Sequence, residues 1–505
     1  MRKMLIDGKF VESASGESFA VINPATEEVI DLVPRAHAVD ADLTLQAAAR
    51  AQQDWRFKPG IEKCELLHAI ARDLREHRAQ LARLLTMEGG KPLIENMDEI
   101  EWVAACFDYY AELGRDYMGR AISPVQRHQM NFVVKEPYGV AVSIVPWNYP
   151  LLLMSWKVAP ALAAGNTVVI KPSEYTPLST LMVGEIFNEH LPAGVVNILT
   201  GYGPEVGEPL VRHKLTRVVA FTGSVATGRK LAIAAAEGLK KVNLELGGND
   251  PFIVCEDIDI DTAVRGSVWA AFLNMGQVCT SGERFYVMES IADKYIDRFV
   301  EFTHRLRIGD PLGPDIDLGP MINAAQRNKV QEKLDRACEM GAKILTGGRV
   351  PANLTKGFYY EPTVIINVDH SMPLMREETF GPIAPIMIVK DIQEAITLAN
   401  DSEYGLGANI LTNNLEYAMM AAEQIKAGTF WINDPLTDND AGPFGGMRLS
   451  GIGRELGAEG IEEFRETKHI HLDYRLEPKS YWYPYDWSNA EYDDQGEIKD
   501  IYRKH

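Results

Sequence analysis

Cysteine is scarce in this 505-residue chain, with five thiols at Cys64, Cys106, Cys255, Cys279 and Cys338. A sparse, odd-numbered set argues against a disulfide framework and for a reducing, cytoplasmic setting. No CxxC and no HExxH occurs, and His469 and His471 alternate as they would on a surface strand, so no metal centre is expected. Positive charge is also in short supply. A formal net charge of -20 leaves no basic stripe for nucleic acid and disfavours an anionic membrane surface. Long apolar runs are missing too. The most apolar region, 149–170, is interrupted by Lys157, Pro160, Gly165 and Asn166, which excludes a membrane span there. The first eight residues lack the apolar stretch of a signal peptide. Standard nucleotide loops are absent as well. The glycine patterns at 201–207 and 451–457 are each one residue too long for GxGxxG. Gly223 and Gly228 have P-loop spacing, but Arg229-Lys230 follows where Lys-Ser/Thr is needed, so kinase or ATPase chemistry is not expected.

What is present is an ordinary globular composition, 46% hydrophobic and 24% charged, in a chain long enough for two or three domains. Residues 41–53 and 61–86 read as amphipathic helices, the second stopped by Gly89-Gly90. From Val140 onward short apolar runs alternate with helical patterns. Strands are expected at 140–145, 166–170, 195–199, 218–221 and 242–246, with helices near 152–164, 178–190, 205–213 and 225–238. A second α/β stretch runs from Pro251 to about Ile432, with strands at 285–288 and 383–389 and helices at 259–273 and 291–306. Alternation of this kind predicts parallel sheets covered by helices.

The strand ends carry the chemistry. Pro146-Trp147-Asn148-Tyr149-Pro150, Lys171-Pro172-Ser173-Glu174, Phe221-Thr222-Gly223-Ser224 and Glu245-Leu246-Gly247-Gly248 each follow one expected strand. Ligands bind at the carboxyl ends of strands in open α/β sheets, and turn chemistry alone does not explain four such segments. Lys171 and Glu174 suit a ribose, although a solvated surface pair is the plain alternative. Ser224 opens a helix, where free N–H groups favour a pyrophosphate. Asn148 offers an amide donor to an oxyanion, or else caps the turn before Pro150. Cys279 follows Glu245 by 34 residues. A thiolate attacks carbonyls well and a carboxylate activates water. The pair suits oxidative acyl chemistry on an aldehyde.

In order and spacing these segments resemble the aldehyde dehydrogenase superfamily across about residues 5–472. The resemblance rests on PWNYP at 146–150, KPSE at 171–174, FTGS at 221–224, ELGG at 245–248, GQVC at 276–279, EETFGP at 377–382, PFGG at 443–446 and SGIGRE at 450–455. The pocket residues look most like those of the betaine-aldehyde and aminoaldehyde dehydrogenases. The resemblance implies an α/β aldehyde dehydrogenase-like fold: a Rossmann-type NAD-binding domain at 1–117 and 138–246 and an α/β catalytic domain at 247–449. A small β oligomerisation extension is implied at 118–137 and 465–490, with a homodimer or homotetramer as the assembly.

It also implies Cys279 as nucleophile, Glu245 as general base, Asn148 with the Cys279 N–H as oxyanion hole, and Glu455 as proton relay. NAD contacts are implied at Pro146, Trp147, Lys171, Ser173, Glu174, Gly203, Gly207, Phe221, Thr222, Gly223, Ser224, Leu246, Gly247, Glu378 and Phe380. A carboxylate at Glu174 repels a 2′-phosphate, which favours NAD over NADP. Glu245 favours hydrolysis over transfer to CoA. The aldehyde tunnel is implied at Tyr149, Met154, Trp156, Val278, Thr280, Asp438 and Phe444, where the alternative for Trp156 is core packing. Aromatic faces with the three aspartates of 434–440 attract a cation, and such contacts are worth about 0.5–2 kcal/mol each. A cationic or amino-aldehyde substrate is therefore expected. The alternatives are a broad-range aliphatic or aromatic aldehyde dehydrogenase, and a non-catalytic structural protein on the same fold. Beyond the family's span, 476–505 forms an aromatic and then acidic tail, expected to pack on a neighbouring subunit or over the tunnel mouth.

Overall fold

The computed structural model describes residues 2–116, 119–479, 481–485, 487–488 and 490–501. The chain divides into two compact units, Met1–Tyr117 with Pro137–Glu466, and Met118–Glu136 with Thr467–His505.

The larger unit holds two sheets. The first has eight strands, in the order Gly451–Ile452, Lys241–Glu245, Thr216–Thr222, Val140–Ile144, Thr167–Lys171, Val196–Ile198, Met4–Ile6 and Lys9–Val11. Its five inner strands, from Lys241–Glu245 to Val196–Ile198, pair in parallel, and the flanking strands pair antiparallel. The strands Val140–Ile144 and Thr167–Lys171 are buried at every position, as expected of a sheet covered on both faces. The helices Pro150–Ala164, Leu178–His190 and Val225–Ala236 each connect two parallel strands of this sheet. The second sheet has seven strands, in the order Lys343–Thr346, Thr363–Ile366, Ile383–Val389, Gly282–Met288, Asp250–Val254, Gly407–Leu411 and Thr429–Ile432. It is parallel except at the Lys343–Thr346 edge. The expected strands and helices of both α/β stretches appear within a few residues of their predicted bounds.

Two readings need correction. Residues 61–86 form two helices, Gly60–Glu76 and Arg78–Gly89, broken at His77 (φ -94°, ψ 9°). Buried Leu74 and Leu81 stand seven residues apart, so the apolar face keeps its phase across the break and the pattern hides it. The expected helix at 205–213 begins as a π turn, Gly203–Gly207, and is regular only over Glu208–Arg212.

The helix Pro150–Ala164 sets the position of the site. Proline at its first position lacks the N–H that would otherwise be left unpaired there. The Glu99 carboxylate accepts the next two N–H groups, Leu151 at 3.1 Å and Leu152 at 3.0 Å. Every residue of this helix is buried, including Lys157.

The smaller unit contains a three-stranded sheet, ordered Arg465–Asp473, Gln129–Pro137 and Gly119–Ile122. His469 and His471 lie on its first strand, and each reaches Asn131 Oδ1, at 3.2 and 2.8 Å. Part of the tail folds as a hairpin of Ala490–Tyr492 with Ile498–Ile501. Tyr481 meets Trp482 and Tyr483 meets Tyr485, at centroid distances of 6.5 and 4.5 Å. Residues 480, 486, 489 and 502–505 of the predicted tail lie outside the described residues.

Candidate active site

Cys279 sits where two cavities meet. One, of about 350 Å³, is mostly apolar, and the other, of about 260 Å³, opens along the ends of the first sheet. Cys279 and Asn148 line both. The backbone approaching the thiol is tightly wound: Asn274, Met275 and Gly276 have φ of 48°, 61° and 68°. Left-handed backbone is costly for asparagine and methionine and persists only where surroundings hold it. Here Asn274 Nδ2 donates to Asn148 O at 3.3 Å, Gln277 Nε2 donates to Asn274 O at 3.0 Å, and Gln277 Oε1 accepts the Ile322 N–H at 3.0 Å. Gly276 has no space for a side chain, because a Cβ would fall 2.3 Å from Gly381 O. Asn148 Nδ2 donates to Gln277 O at 3.0 Å. That bond uses one amide hydrogen and aims the other.

Glu245, at the end of its strand, is 1% exposed, and its carboxyl group faces the Cys279 thiol and the Thr222 hydroxyl. Burial pushes it up to about 8, with Glu455 adding to the rise. Burial also raises the Cys279 thiol well above its ordinary value, and Glu245 adds to that. The sulfur is therefore a neutral thiol at rest. Beneath the pair lies a buried cation. Lys157 Nζ stands 2.6 Å from Glu455 Oε1 and donates to Thr222 Oγ1 at 2.6 Å and Leu153 O at 3.1 Å. Its charge pulls Glu245 downward against the larger effect of burial. Burial raises Glu455 as well, opposed by Lys157.

The cavity holding Glu245 also takes in Pro146, Trp147, Thr222, Gly223, Ser224, Leu246, Gly247, Glu378 and Phe380. A wider cleft of about 720 Å³ shares five of these and adds Lys171, Ser173, Glu174, Gly203, Gly207 and Phe221. All fifteen residues expected to face a nucleotide thus line one of two cavities with common walls. The Ser224 hydroxyl caps its helix, accepting the Thr227 N–H at 3.3 Å. Lys171 is buried, not a solvated partner of Glu174. Its Nζ donates to Pro172 O at 2.9 Å and stands 3.7 Å from Glu174 Oε2, and burial lowers its pKa. Glu378 accepts the Gly248 N–H at 3.1 Å, and burial lifts it to about 8. A Cβ on Gly247 would fall 2.5 Å from its carboxylate. Phe380, with φ 50°, meets Trp147 edge-on at 5.4 Å. Glu283 holds this loop by accepting the Thr379 and Phe380 N–H groups.

The apolar cavity is lined by Tyr149, Trp156, Val278, Thr280, Asp438 and Phe444. Trp156 packs on Phe444 at 4.9 Å. Met154 does not belong: it is fully buried and absent from the wall. Two helical steps turn it about 200° from Trp156, toward the core, whereas Leu152 and Leu153 share the cavity face. Sequence reasoning missed Trp102 and Trp269, which arrive from distant segments, whereas Asp440 comes from the expected acidic loop. Asp438 is pushed up to about 7 by desolvation and then by Asp440, but it stays open to solvent at the mouth, so screening works against that rise. On the sheet side Gln326, Lys329 and Lys333 were missed. Their spacing on the helix Ala324–Glu339, i, i+3 and i+7, was the available signal. Lys91 was also missed. It is buried, stands 3.4 Å over the Tyr149 ring centroid and pairs with Glu99.

A parallel sheet with a cleft along its strand ends, meeting an apolar cavity at one thiol, is the layout of a nucleotide-dependent dehydrogenase. The chain belongs to the aldehyde dehydrogenase family, whose profile matches residues 10–470. It is 41% identical to aminoaldehyde dehydrogenase 2, peroxisomal, of Pisum sativum, over 96% of this chain and 98% of that one. It is likewise 41% identical to the chloroplastic betaine aldehyde dehydrogenase of Amaranthus hypochondriacus, over 95% and 98%. A crystal structure of betaine aldehyde dehydrogenase from Staphylococcus aureus in complex with NAD+ superimposes with a TM-score of 0.94 at 39% identity, covering 95% of this chain and 96% of that one. Among the described residues no helix is long and apolar enough to cross a membrane.

Proposed function

We propose that this chain oxidises amino- or quaternary-ammonium aldehydes to carboxylic acids with NAD+. The observation that carries the reading is the position of Cys279 and Asn148 on the shared boundary of the two cavities. An aldehyde carbon in the apolar cavity and a hydride acceptor in the other then lie on opposite sides of one sulfur.

The nucleotide-side cleft fits NAD+. Open space faces Gly203, the end of the helix Val225–Ala236 presents free N–H groups, and Glu174 disfavours a 2′-phosphate. When bound, NAD+ accepts the hydride leaving the substrate carbon. The protein's own groups do the rest. The Cys279 sulfur bonds to the aldehyde carbon as its proton passes to Glu245. The free Asn148 amide hydrogen and the Cys279 N–H hold the oxyanion. Loss of hydride leaves a thioester on Cys279. Glu245 passes the thiol proton on by way of Glu455 and Lys157, which lie behind it, and is a carboxylate again. It then takes a proton from water as the water oxygen adds to the thioester carbon, and the C–S bond breaks to release the acid while that proton returns to the sulfur. Three tryptophans, Tyr149 and two aspartates around the cavity suit a cationic tail. Homodimer or homotetramer formation through the smaller unit belongs to the same reading.

A kinetic panel tests the substrate class. Betaine aldehyde and 4-aminobutanal should exceed hexanal and benzaldehyde in kcat/KM, and equal values would remove the cationic preference. Glu245→Gln should accumulate an acyl group on Cys279, seen by mass spectrometry. A Glu245→Gln enzyme turning over normally with no adduct would refute the mechanism. NAD should be more efficient than NADP in the same panel, and CoA should not accelerate turnover.

A further inference from the structure

Far from the thiol, the helix Gly60–Glu76 places Cys64 and His68 four residues apart, on one face. The helix Leu93–Asp116 places Asp108 and Glu112 four apart, facing them. Cys64 Sγ lies 3.7 Å from Glu112 Oε1, and His68 Nε2 lies 2.9 Å from the same oxygen. One ligand atom from each of Cys64, His68 and Glu112 falls within 4.8 Å of the other two. We propose that Cys64, His68 and Glu112 form a divalent-metal site of the zinc class that clips these two helices together.

The donor set selects the ion. Thiolate with imidazole and one carboxylate oxygen suits Zn²⁺ and excludes Mg²⁺ and Ca²⁺, which take oxygen ligands. The spacing is close to what a tetrahedral ion needs. Bonds of roughly 2.0–2.3 Å at tetrahedral angles separate ligands by roughly 3.3–3.8 Å. The sulfur and carboxylate already stand in that range, the imidazole lies 2.9 Å from the carboxylate oxygen and would draw back from it, and the sulfur and imidazole lie within 4.8 Å. His68 is held for this task, since Asp108 Oδ1 lies 2.6 Å from its Nδ1 and turns Nε2 toward the ligands. A carboxylate behind a ligating histidine fixes its tautomer and ring orientation. Arg75 in turn holds Asp108 Oδ2 at 2.7 Å, and Arg115 engages the other Glu112 oxygen at 3.5 Å, leaving Oε1 to the site. Cys64 is buried while Glu112 and part of His68 face solvent, so water has access as a fourth ligand. Without metal the Cys64 thiol donates to Glu112 Oε1, so the same oxygen that the thiol and His68 share is the one a metal would bind. Binding exchanges the Cys64 thiol proton for a metal–sulfur bond. The proton goes to solvent, and nothing is oxidised or reduced.

The test uses the full chain with Cys279→Ser and Cys338→Ser, which removes the two partly exposed thiols that would compete for a soft metal. Co²⁺ titration should bring up a thiolate-to-metal absorption at one equivalent, and Zn²⁺ should abolish it by displacement and raise Tm. Cys64→Ser should eliminate the absorption. His68→Asn, at a partly exposed position that folding tolerates, should weaken Zn²⁺ at least tenfold. The sulfur-free group Asp73, Glu189 and His190 supplies the control, because His190→Asn should change the affinity less than twofold. No thiolate absorption, an absorption that survives Cys64→Ser, or a Zn²⁺ affinity indifferent to His68→Asn would each overturn the site.

Discussion

Replacing Lys157 by methionine should move the pH dependence of hydrolysis without touching either cavity wall. Lys157 is fully buried and pairs with Glu455, itself 1% exposed, at 2.6 Å. Breaking a buried pair from one side costs about 3–5 kcal/mol, because a charge is stranded. The stranded charge would be Glu455, and it already raises Glu245. Lys157 pulls the other way, so its loss drives Glu245 above its value of about 8. Each added unit corresponds to about 1.4 kcal/mol and removes the base form about tenfold at neutral pH. The assay is release of acid from the acyl-enzyme by rapid quench between pH 6 and 10. The ascending limb should shift upward by about one unit, with a rate about tenfold lower at pH 7. Adding Glu455→Gln removes the stranded anion, and should recover most of the lost stability and return the limb toward its starting place. A folded Lys157→Met enzyme with an unmoved limb would refute the electrostatic link.

Other outcomes follow from the same geometry. Lys91→Met strands buried Glu99 and should lower the urea midpoint by the equivalent of about 3–5 kcal/mol. Lys91→Met with Glu99→Gln should be milder than the single change, and equal losses would mean that the pair is not the cause. Met154→Leu should leave the ranking of aldehydes unchanged, since that side chain faces the core, whereas Trp269→Ala should reorder it. A shifted ranking in Met154→Leu would return Met154 to the cavity. Burial holds Glu88 near 7 and Glu95, Glu245 and Glu378 near 8. The folded state therefore keeps protons that the unfolded chain releases above about pH 4.5, and stability should fall as pH rises from about 5 to 8. A Tm that climbs over that window, measured by scanning calorimetry, would contradict the sign.

Much of the site was legible because it is written in local chemistry. Each strand-end segment joins a buried strand to a turn or helix start, and glycine, serine and proline mark those places whatever the tertiary context. The nucleotide-facing residues were found this way, together with Asn148, Glu245 and Cys279. Lys157 was not, because it reads as an interruption of an apolar helix, and only the fold shows Glu455 arriving beneath it. Trp102 and Trp269 look like ordinary helix residues until two distant helices converge. Met154 was placed in the tunnel by the family resemblance, whereas its helical phase turns it to the core. The break at His77 left no trace, since the heptad spacing runs straight through it.

Cys279 borders both cavities, but Glu245 borders only the one that fits the nucleotide. A water activated by Glu245 therefore reaches the thioester from the side that fits the nucleotide. A nicotinamide ring held there by Glu378 and Phe380 would occupy the water's place, so release of the acid would wait on its leaving, and excess NADH would slow that release.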